Sequence, residues 1–159
     1  MNKKALHFFS KSECKDLIKY FEANAHKIKP FRDTYRLLDV ETPLKNKLVD
    51  FITKEYGVKL NNLEIVKWPN ESFMYNHYDG SHIKENDYSC ICYLNSDYKG
   101  GRTIIENKFI EHTTGDLIFF NTFFTHINLC LSFSLDAFIG YCFTVLSLRF
   151  TFPTKAHSH

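Results

Sequence analysis

His77 and Asp79 stand two residues apart in the run His77-Tyr78-Asp79. On an extended strand, residues i and i+2 share a face, so the imidazole and the carboxylate would stand together, about 6–7 Å apart at the backbone. Such a pair can give one metal ion two adjacent ligands. A third could come from His126, 47 positions beyond Asp79, at the end of the aromatic run 119–126. Two imidazoles and one carboxylate on one side of a metal leave three coordination positions open, the facial arrangement used for oxygen chemistry at non-haem Fe(II). A 2-oxo acid can fill two of those positions and O₂ the third. Each feature also has a plainer reading: a lone His-x-Asp is often a surface turn, here leading into Asp79-Gly80, and a histidine in so apolar a run is often a hydrogen-bonded core residue.

The remaining histidines are read as ordinary. His7 precedes a helix, and His26 ends one, where a cation suits the dipole. His82 and His112 fall in polar turns, and His157 and His159 in a short tail. The five cysteines, at 14, 90, 92, 130 and 142, are odd in number. Met1–Lys4 is basic, but no apolar segment of signal-peptide type follows. These two points argue against a disulfide framework and for a reducing cytoplasm. Cys90 and Cys92 lie in an apolar run with no second Cys or His pair at zinc spacing, so they read as two residues on one strand face.

Helices come first among the elements that must position these groups. Ser10 with Glu13 fits a capping box, and Cys14, Leu17, Ile18 and Phe21 then recur as one buried helical stripe. Thr42-Pro43 opens a second helix, with Leu44, Leu48, Phe51 and Ile52 on one side and a stop near Gly57. After Gly57 the pattern changes to short apolar or alternating runs: 63–68, 73–79, 88–94, 102–106, 116–120, 123–131 and 141–152. Turn residues separate them, among them Pro69-Asn70, Gly100-Gly101 and Thr114-Gly115. Helices followed by about seven short strands suggest a β-sandwich or barrel buttressed by helices.

A chain of 159 residues suits one domain with one core. Sixteen Phe, nine Tyr and one Trp favour strands and sheet-packed cores. The net charge of +2 gives no field for nucleic acid or an anionic membrane. The stretch 129–148 carries a single charge, Asp136, and is long enough to span a bilayer. Its central Asp, its serines and the β-branched and aromatic residues after Gly140 favour two buried strands instead.

The order of the pieces between Glu64 and His126 resembles the catalytic domain of prolyl-4-hydroxylase-like 2-oxoglutarate/Fe(II) oxygenases, especially small bacterial and phage forms. Trp68-Pro69-Asn70-Glu71-Ser72-Phe73 with His77-Tyr78-Asp79 looks like the first metal strand. Ser89-Cys90-Ile91-Cys92-Tyr93-Leu94-Asn95, then Asp97-Tyr98-Lys99-Gly100-Gly101-Arg102-Thr103, is similar to the family's "YLN…xGG(E/R)T" segment. Thr114-Gly115-Asp116-Leu117-Ile118-Phe119-Phe120 and His126 are similar to the strand pair that delivers the second histidine. The resemblance implies a mainly β fold with N-terminal helices and a double-stranded β-helix (jelly-roll) core. In this reading residues 1–159 form one domain, 1–60 being a helical support region and 63–152 the catalytic core. It implies Fe(II) held by His77, Asp79 and His126, with 2-oxoglutarate and O₂ as co-substrates and ascorbate as an accessory reductant. The implied reaction hydroxylates a peptide or protein side chain, proline for example, and converts 2-oxoglutarate to succinate and CO₂.

One part of the pattern departs from the family. About ten residues after the second histidine the family places an Arg or Lys that pairs with the distal carboxylate of 2-oxoglutarate, a charge-assisted bond. Here no Lys or Arg occurs between His126 and Arg149. Either residues 140–146 form the last strand, with Gly140 in place of the basic residue, or the strand begins at Arg149 and Arg149 holds the carboxylate. In the first register Arg102 or Lys67 would have to reach in. A chain lacking that partner altogether would be a degenerate, non-catalytic relative. Substrate and oligomeric state are not written in the motifs.

Overall fold

The computed structural model describes residues 3–60, 63–69, 72–77, 88–97, 102–121, 126–129 and 140–150. Strand β1 (Lys3–Ala5) leads into helix α1 (Lys11–Ala23), and a single 3₁₀ turn (Ala25–Lys27) precedes β2 (Lys29–Phe31) and β3 (Thr34–Leu38). Helix α2 (Pro43–Tyr56) and β4 (Val58–Leu60) follow, then β5 (Glu64–Trp68), β6 (Phe73–His77), β7 (Tyr88–Tyr93) and β8 (Arg102–Ile105). The chain continues through β9 (Lys108–Ile110), β10 (Leu117–Asn121), β11 (His126–Leu129) and β12 (Gly140–Phe150). The protein is mainly β, with few helices. Residues 78–87 and 130–139, which include the centre of the apolar stretch 129–148, lie outside the described residues. Strands β11 and β12 flank that centre. Among the described residues no helix is long and apolar enough to cross a membrane.

Both helices start and stop where local chemistry dictates. The Ser10 hydroxyl accepts from the Glu13 N–H at 3.2 Å, and the Glu13 carboxylate accepts from the Ser10 N–H at 2.7 Å. This capping box satisfies two orphan donors of α1. The Thr42 hydroxyl caps α2, Pro43 takes its first turn, and Gly57 closes it in the left-handed region at φ +65°. Cys14, Leu17 and Phe21 of α1 and Leu48 and Ile52 of α2 form the buried stripes.

Eight strands form one sheet in the order β1-β10-β7-β12-β5-β3-β2, with β4 paired to β12; four form a second sheet in the order β6-β11-β8-β9. The helices cover the outer face of the larger sheet. Their stripes pack on Leu37, Ile65, Cys90, Cys92, Leu117 and Phe119, and the Tyr56 and Phe119 rings lie 4.4 Å apart. The alternate residues Val66, Trp68, Ile91, Tyr93, Ile118 and Phe120 form a second cluster on the inner face, which Ile105 of the smaller sheet completes. Burial on both faces explains why β7 and β10 read as continuous apolar runs. Cys14, Cys90 and Cys92 are buried and form no disulfide.

The front of the chain supplies four strands besides its helices. Strands β2 and β3 form a hairpin turned at Arg32-Asp33, and β3 extends the large sheet beside β5. Strand β9 also escaped the sequence reading. Glu106 and Asn107 take φ of +51° and +61°, as a type I′ hairpin turn requires, and send the chain back along β8.

Candidate active site

The smaller sheet brings two of the expected ligand positions side by side. Strands β6 and β11 are antiparallel, and the Cα partner of His126 is His77. On its other side His126 is the partner of Ile105 in β8. Directly opposed residues of antiparallel strands share a face, with Cα atoms about 4.5–5.5 Å apart. Positions 77, 126 and 105 therefore form one transverse row, and its third member, Ile105, is wholly buried in the inner cluster. Between His126 and Asn128 the register shifts, so that β6 advances three residues, from Met74 to His77, while β11 advances two. A bulge of this kind increases local twist and is common beside active sites. Asp79 lies outside the described residues. Among the described residues no group of three or more His, Cys, Asp or Glu side chains could hold a metal ion. Positions 77 and 126 are thus opposed in the sheet, and Asp79 follows His77 by two residues in sequence.

One step further along β8 stands a buried polar pair. Thr103 precedes Ile105 by two residues and so shares its face, about 6–7 Å along the strand. The Tyr93 hydroxyl, from the larger sheet, donates to Thr103 Oγ1 at 2.6 Å. Both residues are only 3% exposed, so this bond joins the two sheets across the inner space. The half-buried ring of His112 stacks on Tyr93, with centroids 3.5 Å apart and planes 12° apart.

The backbone of Tyr93 is tied to the turn before β10. The Gly115 N–H donates to Tyr93 O at 2.7 Å, and the Tyr93 N–H donates to Asp116 O at 3.1 Å. Asp116 is fully buried, and its carboxylate accepts from the His7 N–H at 3.0 Å and the Thr113 N–H at 2.8 Å. Gly115 adopts φ +88°, and a Cβ built on it would fall 1.9 Å from the Phe9 carbonyl oxygen. The Thr114-Gly115-Asp116 motif is thus the knot that holds the N-terminal segment, Tyr93 and the run-in to β10 together.

The large sheet also locates the basic residues weighed from sequence. Gly140 opens β12 opposite Trp68, and Cys142 stands opposite both Val66 and Tyr93. The start of the last strand, without a basic side chain, is therefore the part that lies beside Tyr93. Arg149 belongs to the same strand but sits near its other end, opposite Lys59 of β4. Simple alternation would put it on the face opposite Gly140, but a register shift against β7 between Val145 and Leu148 breaks that alternation. Lys67 shares the helix-side face with Ile65. Arg102 begins β8, opposite Leu129. A further arginine, Arg36, stands opposite Val66 in the same transverse row. Its guanidinium lies 4.0 Å over the Phe31 ring and donates to the Glu64 carboxylate at 3.1 Å. Sequence reading singled out neither the Tyr93–Thr103 bond nor the stack of His112 on Tyr93. Tyr93 and Thr103 lie in the segment that carries the resemblance, but only strand register shows that they meet.

Solved structures of similar shape settle what this two-sheet arrangement is. A Pseudomonas putida prolyl-4-hydroxylase superposes with a TM-score of 0.72 at 15% identity, over 93% of this chain and 92% of its own. The fold is that of the prolyl-4-hydroxylase-like 2-oxoglutarate/Fe(II) oxygenases. A viral collagen prolyl hydroxylase of Paramecium bursaria Chlorella virus-1, solved as a 2-oxoglutarate complex, gives 0.70 at 17% identity, covering 92% of this chain and 95% of that one. A Trichoplax adhaerens prolyl hydroxylase, in complex with a peptide of a hypoxia-inducible factor, gives 0.71 at 12% identity, with coverages of 92% and 82%. No family model matches the sequence, and no curated protein does.

Proposed function

We propose that the protein is an Fe(II)- and 2-oxoglutarate-dependent oxygenase that hydroxylates a peptide or protein side chain. The observation that carries this reading is the pairing of His77 with His126 in the smaller sheet of an oxygenase fold. In this reading the two sheets form a double-stranded β-helix within a single domain, with residues 1–60 supporting the core 63–152. His77, Asp79 and His126 hold the metal. When bound, Fe(II) with 2-oxoglutarate and O₂ supplies the oxidising chemistry: the 2-oxo acid loses CO₂ to become succinate, and one oxygen atom enters a substrate C–H bond.

The chain's own residues bind, orient and exclude water. Within the Tyr93–Thr103 pair, one strand step from the row of His77 and His126, Tyr93 donates to Thr103 and the Thr103 hydroxyl would donate to the far carboxylate of an extended 2-oxo diacid. Ile91, Ile105, Ile118 and Phe120 wall the inner space with apolar surface and keep bulk water from competing for the open coordination positions. Arg149 remains a candidate partner of the distal carboxylate if the end of β12 turns toward the site. The prolyl hydroxylases of similar shape, one of them bound to a peptide, support a peptide substrate.

The test is succinate formation from 2-oxoglutarate with added Fe(II), together with Fe(II) titration of His126→Ala. Stoichiometric binding by the wild type and none by the variant is expected; equal iron affinity in the two would refute the ligand assignment. A second reading has its own observation. Gly140 and Cys142 open β12 opposite Trp68 and Tyr93, with no basic residue there to complete a dicarboxylate site, which favours a degenerate relative that keeps the fold and the metal. Metal binding without succinate formation would decide for it.

A further inference from the structure

We infer that the open end of the large sheet's inner face, on the β2–β3 hairpin, docks an acidic segment of the peptide substrate; calling that peptide the substrate rests on the oxygenase reading above. Five large apolar side chains stand exposed among the described residues, and three of them, Phe31 (44%), Tyr35 (46%) and Leu38 (45%), belong to this one hairpin. Register puts two of the three on the inner face. Arg36 is the Cα partner of Val66 and Leu38 of Glu64, while Phe31 is the partner of Thr34, two residues before Arg36. Val66 itself is only 2% exposed and belongs to the cluster that Ile105, from the row of His77 and His126, completes. The covered inner face therefore ends at β5. One strand spacing further out, about 5 Å, it lies open as a ledge of Phe31 and Leu38. A peptide that leaves the histidine row along the inner face in this direction crosses the ledge.

The ledge carries cations. Lys29 stands opposite Arg36 on the same face. Arg32 sits at the turn with φ +52°, a left-handed conformation uncommon for a residue with a side chain. Both are exposed, and neither has a carboxylate partner among the described residues. Arg36 is different: Glu64 holds it at 3.1 Å, and its guanidinium lies 4.0 Å from the centre of the Phe31 ring, so it positions that ring. Two unpaired cations beside open apolar surface, against the single carboxylate of Asp33 in the turn, suit a segment that combines Asp or Glu with an apolar residue. Strand addition is closed to such a segment. In a two-residue hairpin the flanking pair, here Phe31 and Thr34, bonds inward, so the β2 residue whose backbone faces outward is Pro30, which has no N–H. The segment docks through side chains on the ledge. A single-stranded nucleic acid, the other polyanion, needs successive rings on one face, and Tyr35, opposite Lys67, lies on the other one.

Selection from a random dodecapeptide library on the full chain, loaded with Mn(II) and 2-oxoglutarate, tests this, with fluorescence anisotropy of the leading peptide as the second measurement. Asp and Glu should be enriched about threefold or more over the library on the wild type. On a Lys29→Glu, Arg32→Glu double variant the enrichment should vanish or pass to Lys and Arg, and the leading peptide should bind about tenfold more weakly, each reversed surface charge accounting for roughly threefold. Both positions are exposed, so the double variant should melt at the temperature of the wild type. No acidic enrichment on the wild type, or the same enrichment on the double variant, overturns the ledge. Tighter binding of a labelled poly(dT) strand than of the leading peptide also overturns it, in favour of nucleic acid. Succinate formation by the wild type separates this inference from the reading beneath it. Acidic selection without succinate keeps the ledge and sinks the oxygenase, and succinate without acidic selection does the reverse.

Discussion

Replacing Gly115 by alanine should cost far more stability than the same change at Gly57, although both glycines adopt the left-handed region. At Gly57, with φ +65°, an added Cβ meets nothing within 4 Å. Only the backbone penalty applies there, about 1–2 kcal/mol. At Gly115, with φ +88°, the same atom would fall 1.9 Å from Phe9 O, and backbone has to move by more than 1 Å to reach an ordinary contact. That movement strains the bonds from Phe9 N to Gly115 O (3.2 Å) and from Gly115 N to Tyr93 O (2.7 Å). Each is worth about 1 kcal/mol net. The total comes to about 3–4 kcal/mol, a large share of the stability of an ordinary domain. Urea unfolding and thermal melts, both followed by far-UV circular dichroism, measure both variants against the wild type, with a fall in melting temperature of roughly 10 °C expected for Gly115→Ala. Equal losses in the two variants would refute the account of this turn as a close-packed knot, and with it the claim that the turn fixes Tyr93.

Three further outcomes follow from buried groups. Arg36→Met removes the guanidinium 3.1 Å from the Glu64 carboxylate, itself 3% exposed, and should destabilise by about 3 kcal/mol, while adding Glu64→Leu should restore most of it; a single variant within 1 kcal/mol of wild type in urea would contradict the pairing. Tyr93→Phe removes the 2.6 Å bond to Thr103 and should cost about 1 kcal/mol and weaken 2-oxoglutarate binding while leaving Fe(II) affinity intact, as metal and co-substrate titrations would show. Burial raises the Cys14 thiol to about 11, so its thiolate is scarce at pH 8, and alkylation by iodoacetamide in the native state should proceed only through unfolding; labelling at the rate of a free thiol would disprove its burial.

The two helices were legible because their signals are local. A capping box, a proline at the first turn, a left-handed glycine and an apolar stripe each act within one or two turns of chain. The runs that became β5, β6, β7, β8, β10, β11 and β12 were legible for a related reason: β-branched and aromatic residues cluster wherever a strand is covered on one or both faces. Strands β1, β2, β3, β4 and β9 were not read. They are three to five residues long, and β2 and β3 carry charged or exposed side chains such as Lys29, Tyr35 and Arg36. They are strands because a neighbour offers them hydrogen bonds, and composition does not record that.

The same division runs through the site. Residue types, their order and the spacing of His77, Asp79 and His126 sufficed to suggest a metal and an oxygenase, because ligand chemistry depends on side-chain identity. Which residues lie opposite one another was settled by strand register. Register placed His77 against His126, put Thr103 one step from that row, set the start of β12 beside Tyr93 and carried Arg149 toward the other end of the strand. It also turned His112 from a residue of a polar turn into the ring stacked on Tyr93. Pairing across a sheet is fixed by the summed burial of many distant side chains, so no short stretch of sequence contains it.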